Sequence, residues 1–177
     1  MAWEGTLAEG FPGLIMAFFA PARSPEAYAA LAWFLEDGMR KFYENLAGML
    51  SETDAVNLFS QLALVEEHHK SELTKLYHWL SGEKANAGFP YGIVSEQSQD
   101  ELLEGGISLK EALSWAIGKQ TKEILELSIA LETSAYDRYL AMKHNVEDIR
   151  SQQLFELLSQ EEKRHLGRMT ELLAKTP

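Results

Sequence analysis

Residues 64–73 read LVEEHHKSEL, two glutamates followed by two histidines inside an otherwise apolar helical pattern. The four could form one solvated face, or some could turn inward. A 3,4,3,4 seam of the kind that lines a bundle core separates them. It reads Phe59, Leu62, Glu66, His69, Leu73, Leu76, Leu80. Glu66 and His69 lie on it, while Glu67 and His68 turn toward a flank.

The same seam recurs in three further helical stretches. One reads Ala29, Ala32, Glu36, Met39, Tyr43, Leu46, Leu50. Another reads Leu125, Ser128, Glu132, Ala135, Tyr139, Met142, and the last Phe155, Leu158, Glu162, His165, Met169, Leu172. Apart from Ser128 and two tyrosines, the polar seam residues are four glutamates and two histidines. A buried carboxylate is costly unless positive charge compensates it. Two divalent cations would balance four glutamates, with neutral imidazoles completing the ligand set.

An internal repeat supports this reading. Glu36 to Glu132 is an offset of 96 residues (132 − 36), and Glu66 to Glu162, His69 to His165 and Tyr43 to Tyr139 share it. Leu58-Phe59 recurs as Leu154-Phe155 at the same shift. The first two helices and the last two therefore read as copies of one hairpin. Each copy supplies a glutamate from its first helix and Glu-x-x-His from its second, a spacing that places both on one helical face. A lone ExxH is a weak signal; two in register with two further seam glutamates are a strong one.

Caps bound the helices at about 24–50, 52–81, 108–145 and 147–175. Ser24-Pro25-Glu26 opens the first, with proline at the first helical position. Ser51-Glu52-Thr53-Asp54 opens the second, which stops at Ser81-Gly82. Ser108 and Glu111 form a capping-box pattern for the third, with a possible break near Gly118. Residues 82–107, rich in glycine and polar residues, read as a long crossover. The expected fold is all-α, a four-helix bundle of two antiparallel hairpins joined by that crossover. No strand is expected.

Composition narrows the function classes. The 177 residues fit a single domain (1–177) with a sizeable core, 46% apolar and 24% charged. The net charge of −11 and the lack of a basic stripe argue against nucleic acid. With no cysteine, disulfides, iron–sulfur clusters and thiolate zinc sites are excluded, and a reducing cytoplasm suits the chain. The run at 11–20, FPGLIMAFFA, is short of the roughly 20 residues a membrane span needs. Glutamates and no basic residue precede it, unlike a signal peptide. The N-terminal extension 1–23 is expected to hold a short helix that docks on the bundle or on a second subunit.

The stretches Glu36–Tyr43 (EDGMRKFY), Glu66–His69 (EEHH), Glu132–Tyr139 (ETSAYDRY) and Glu161–His165 (EEKRH) together resemble the ferritin-like di-iron carboxylate superfamily, in its rubrerythrin-like branch. The resemblance covers roughly residues 24–175. It implies a ferritin-like bundle binding two iron ions, with manganese or zinc as other occupants. Glu66 and Glu162 would bridge the metals, Glu36 and Glu132 would be terminal ligands, and His69 and His165 would give one nitrogen each. Tyr43 and Tyr139 would orient carboxylates or be plain core tyrosines. The implied function is an oxidoreductase of peroxidase or ferroxidase type that reacts with O₂ or hydrogen peroxide, as a cytoplasmic homodimer. The alternative is non-catalytic iron binding or storage, or a metal-stabilised interaction bundle.

Two departures stand out. Rubrerythrins typically carry a rubredoxin module built on four cysteines, so here the electron donor is expected to be separate. They also carry a further glutamate three residues after the third-helix ligand, where this chain has Ala135. Off the seam, His68, His78, His144, Glu67, Glu123, Glu126 and Glu161 read as solvated groups. Trp3, Trp33, Trp79 and Trp115 read as packing or interface residues.

Overall fold

A computed structural model describes residues 24–82, 88–91 and 101–176. Five α-helices account for most of them: α1 (Pro25–Met49), α2 (Thr53–Ser81), α3 (Leu109–Ala116), α4 (Thr121–Asn145) and α5 (Ile149–Leu173). A 3-10 turn spans Glu104–Gly106 before α3. The described residues contain no strand beyond an isolated bridge between Leu102 and Ser108. Trp3 and the helix expected over 11–20 lie outside the described residues.

The caps follow the local chemistry. Ser24 accepts from the Ala27 amide and Pro25 occupies the first turn of α1. Ser108 and Glu111 form both bonds of the capping box at α3. Asp148 caps α5 by accepting from the Ser151 amide at 2.6 Å. Residues 108–145, however, are two helices rather than one. Gly118 has φ +76°, a conformation open to glycine at little cost, and the chain turns there before Gln120 and Glu123 cap α4.

The helices pack in pairs, α1 on α2 and α4 on α5, and α2 meets α5 between the hairpins. The seam residues are buried except Leu50, Leu80 and Leu172 in final turns, which are partly covered. Two apolar clusters fill the bundle. One gathers Tyr43, Phe59, Leu62, Leu125 and Met169, and the other Leu35, Leu73, Tyr139 and Phe155. On every long helix the seam glutamates and histidines fall between the two clusters. The apolar ends exclude water, so interactions in the middle are poorly screened.

The end of the crossover is pinned against the bundle. The Leu103 amide donates to the Ile107 carbonyl and the Leu109 amide to the Glu101 carbonyl, both at 2.7 Å. This segment lies directly on α1 at Gly38, where a Cβ would stand 2.1 Å from the Leu102 carbonyl oxygen. Glycine is required here for space, and the close approach carries Glu104 into the core.

Candidate metal centre

Glu36, Glu66, His69, Glu132, Glu162 and His165 are all buried at the middle of the bundle. They form two groups, Glu36–Glu66–His69–Glu162 and Glu66–Glu132–Glu162–His165, whose ligand atoms all lie within 4.8 Å of one another. Glu66 and Glu162 belong to both groups. Each imidazole turns Nδ1 toward three carboxylates. For His69 these are Glu66 at 3.0 Å, Glu36 at 3.2 Å and Glu162 at 3.4 Å. For His165 they are Glu162 at 3.1 Å, Glu132 at 3.3 Å and Glu66 at 3.5 Å. The two rings lie nearly parallel, with centroids 5.7 Å apart.

The donor set fits a pair of cations. Both oxygens of Glu66 and Oε1 of Glu162 are buried without a hydrogen bond of proper geometry. Native interiors rarely leave such atoms unmatched. Oxygen ligands with one nitrogen per group suit hard and borderline divalent metals.

The tyrosines cross between hairpins. Tyr139 of α4 donates to Glu36 of α1, and Tyr43 of α1 donates to Glu132 of α4. Each phenol thus fixes one oxygen of the glutamate on the other copy of the repeat. Burial, then the adjacent glutamates, push both phenols well above their ordinary pKa, so both remain donors.

The carboxyl groups divide into two classes. Burial first, and then the neighbouring Glu36 and Glu132 charges, push Glu66 and Glu162 well up. Glu36 stays low despite its burial, through its close approach to Glu66 and His69 and the charges of His69 and Arg138. Glu132 stays low despite burial, through the charge of His165 and bonds with Glu162, His165 and Tyr43. Both histidines are raised despite burial, chiefly by the charges of Glu66 on His69 and Glu132 on His165.

The structure corrects one reading and adds two residues. Glu161 is no solvated charge: it is 23% exposed and takes His69 Nε2 at 2.7 Å, which leaves Nδ1 to face the carboxylates. Arg138 and Glu104 are also buried beside the site. Arg138 Nη2 donates to Glu36 Oε1 at 3.0 Å, and its guanidinium grips both oxygens of Glu104. Burial drives Glu104 up to about 7 against the pull of Arg138. The one sequence signal for this pair was Gly38, a glycine inside a helix whose cost in stability calls for a reason in packing. His68, His78, His144, Glu67 and Glu123 are not buried. Among the tryptophans, Trp33 packs edge-on against Phe34 and Phe89, and Trp79 is 45% exposed beneath Arg150. Ala135 is buried and contributes no donor.

A family model described as Rubrerythrin matches residues 123–176, nearly all of α4 and all of α5. No curated protein matches the chain. Among solved structures, a hypothetical protein from Pyrococcus furiosus is similar with a TM-score of 0.63 and 23% identity. That alignment covers 90% of this chain and 94% of the other, and at this identity it shows a shared fold. Among the described residues no helix is long and apolar enough to cross a membrane. The matched second hairpin supports a resemblance to the ferritin-like di-iron carboxylate superfamily, and the all-helical bundle and the acidic and histidine cluster that could hold metal are compatible with it.

Proposed function

We propose that the chain is a di-iron oxidoreductase that reacts with O₂ or hydrogen peroxide, detoxifying oxidant or iron. The observation that carries this reading is the pair of buried ligand groups sharing Glu66 and Glu162. Glu66 and Glu162, which belong to both groups, would be shared by the two metals. Glu36 with His69 would hold one metal, and Glu132 with His165 the other. Bound iron would supply one-electron redox chemistry and Lewis acidity at that point. The protein's own groups do the rest. Tyr43 and Tyr139 hold the terminal glutamates in orientation, Glu161 fixes the His69 tautomer, and the apolar clusters keep bulk water away. Electrons come from a separate donor, and the protein works in the cytoplasm as a homodimer.

Anaerobic loading with Fe(II), followed by O₂ or peroxide in separate arms, tests this. Rapid oxidation of two irons per chain and repeated peroxide consumption with an added reductant are expected. A metal-free protein that takes up no Fe(II) would sink the reading.

Ala135 favours a second reading, iron binding or storage without turnover. It is a buried methyl group where rubrerythrins carry a further glutamate. Slow Fe(II) oxidation with no peroxide turnover would support storage, and so would a many-subunit shell rather than a dimer in size-exclusion chromatography.

A further inference from the structure

The two halves of the site are not equivalent, and the difference comes from outside the repeat. Glu36 and Glu132 correspond across the 96-residue offset, and each receives one tyrosine hydroxyl. Among the described residues, Glu36 but not Glu132 also receives a guanidinium. Arg138 corresponds to Phe42 (138 − 96 = 42), a fully buried apolar ring. Glu104, which holds Arg138 in place, comes from the crossover, and Gly38 admits that segment.

The consequence follows from counting lone pairs. Glu36 Oε1 accepts from both Tyr139 and Arg138 Nη2, which saturates it. Only Oε2, facing His69 Nδ1, is left for a cation. Glu132 Oε1 accepts from Tyr43 alone among the described residues, so this carboxylate retains acceptor capacity on both oxygens. The guanidinium is 5% exposed and stacks on the Tyr139 ring at 3.9 Å, so it is not free to swing away. Glu161 acts in the opposite sense by strengthening His69 as a donor. It does so through one nitrogen from a partly solvated position, whereas Arg138 removes acceptor capacity from a ligand oxygen directly.

Building on the dinuclear reading above, we propose that Arg138, held by Glu104, is a positioning residue that makes the metal positions unequal. The Glu132–His165 position fills first and more tightly. The Glu36–His69 position, poorer in protein donors, fills second and has more room for an exogenous ligand.

Crystals grown with one equivalent of Co(II) per chain test this by anomalous scattering. A dominant peak among Glu66, Glu132, Glu162 and His165 is expected, with two calorimetric steps about tenfold or more apart in solution. A dominant peak at Glu36–His69, or two equal peaks, would overturn the inference and leave the dinuclear reading standing. No cobalt at either position would overturn both. In the Arg138→Met/Glu104→Leu variant, which removes the buried pair without stranding either charge, the Glu132–His165 peak should lose its dominance, and with Glu161 still in place the Glu36–His69 peak should equal or exceed it. Tyr139→Phe, a nearly isosteric change that relieves the same oxygen, should narrow the gap in the same direction. An unchanged preference in folded forms of these variants would overturn the role of Arg138.

Discussion

Glu161 of α5 holds Nε2 of His69 of α2 at 2.7 Å, so one hairpin sets the tautomer of a ligand on the other. Its counterpart across the repeat is Val65 (161 − 96 = 65), which can make no such bond. Partners of this kind commonly change metal affinity by about 10- to 100-fold. Glu161→Ala should therefore weaken metal binding by that order while leaving the fold intact. Glu67→Ala, which removes an exposed carboxylate from the Arg40 and Lys70 pairs, should not. Calorimetric titration of both variants checks the contrast.

Neighbouring histidines give a sharper contrast. His69 is fully buried, while His68 lies outside, 4.0 Å from Glu72. His68→Ala should leave the metal content unchanged and His69→Ala should lower it, as read by elemental analysis of natively purified protein.

Much of this was legible in the sequence because a repeat and a seam constrain each other. Glu66 was separable from Glu67, and His69 from His68, because a helical face admits only one of each pair. The caps at Ser24 and Ser108 were equally readable. Arg138 and Glu104 were not, because neither obeys the repeat. One sits a position before a seam tyrosine, and the other enters from a crossover whose path no periodicity fixes. The role of Glu161 was equally hidden, because a flank residue on one helix looks solvated until a second helix packs beside it.

The crossover contact should show in stability. Alanine for glycine inside a helix normally gains about 1 kcal/mol. At Gly38 the new Cβ would meet backbone at 2.1 Å, so overpacking of about 1–3 kcal/mol should prevail. For a chain of this size, thermal unfolding should fall by about 2–4 °C for each net kcal/mol. Gly48, also in α1, has nothing within 4 Å of its built Cβ, and Gly48→Ala should raise the midpoint. Thermal melts of the two variants should shift in opposite directions.

Acidity should act on the metal-free protein through the raised groups. Glu66, Glu162, His69 and His165 all hold protons more tightly folded than unfolded. The folded state therefore binds more protons, and stability should fall as pH rises from about 5 toward 8. Glu36 and Glu132, held low, contribute in the opposite sense and only in acid. A cation displaces these protons, so its affinity should rise over the same range. Melts with and without Mn(II) across that range check both signs.

Metal content on natively purified protein decides whether the cluster built on Glu66 and Glu162 is a dinuclear iron centre. Two metal ions per chain, predominantly iron, are expected, with both lost in a Glu36→Ala/Glu132→Ala variant that keeps its helical content. Protein from iron-replete cells that carries no metal, and that takes up no Fe(II) under anaerobic conditions, would contradict that expectation.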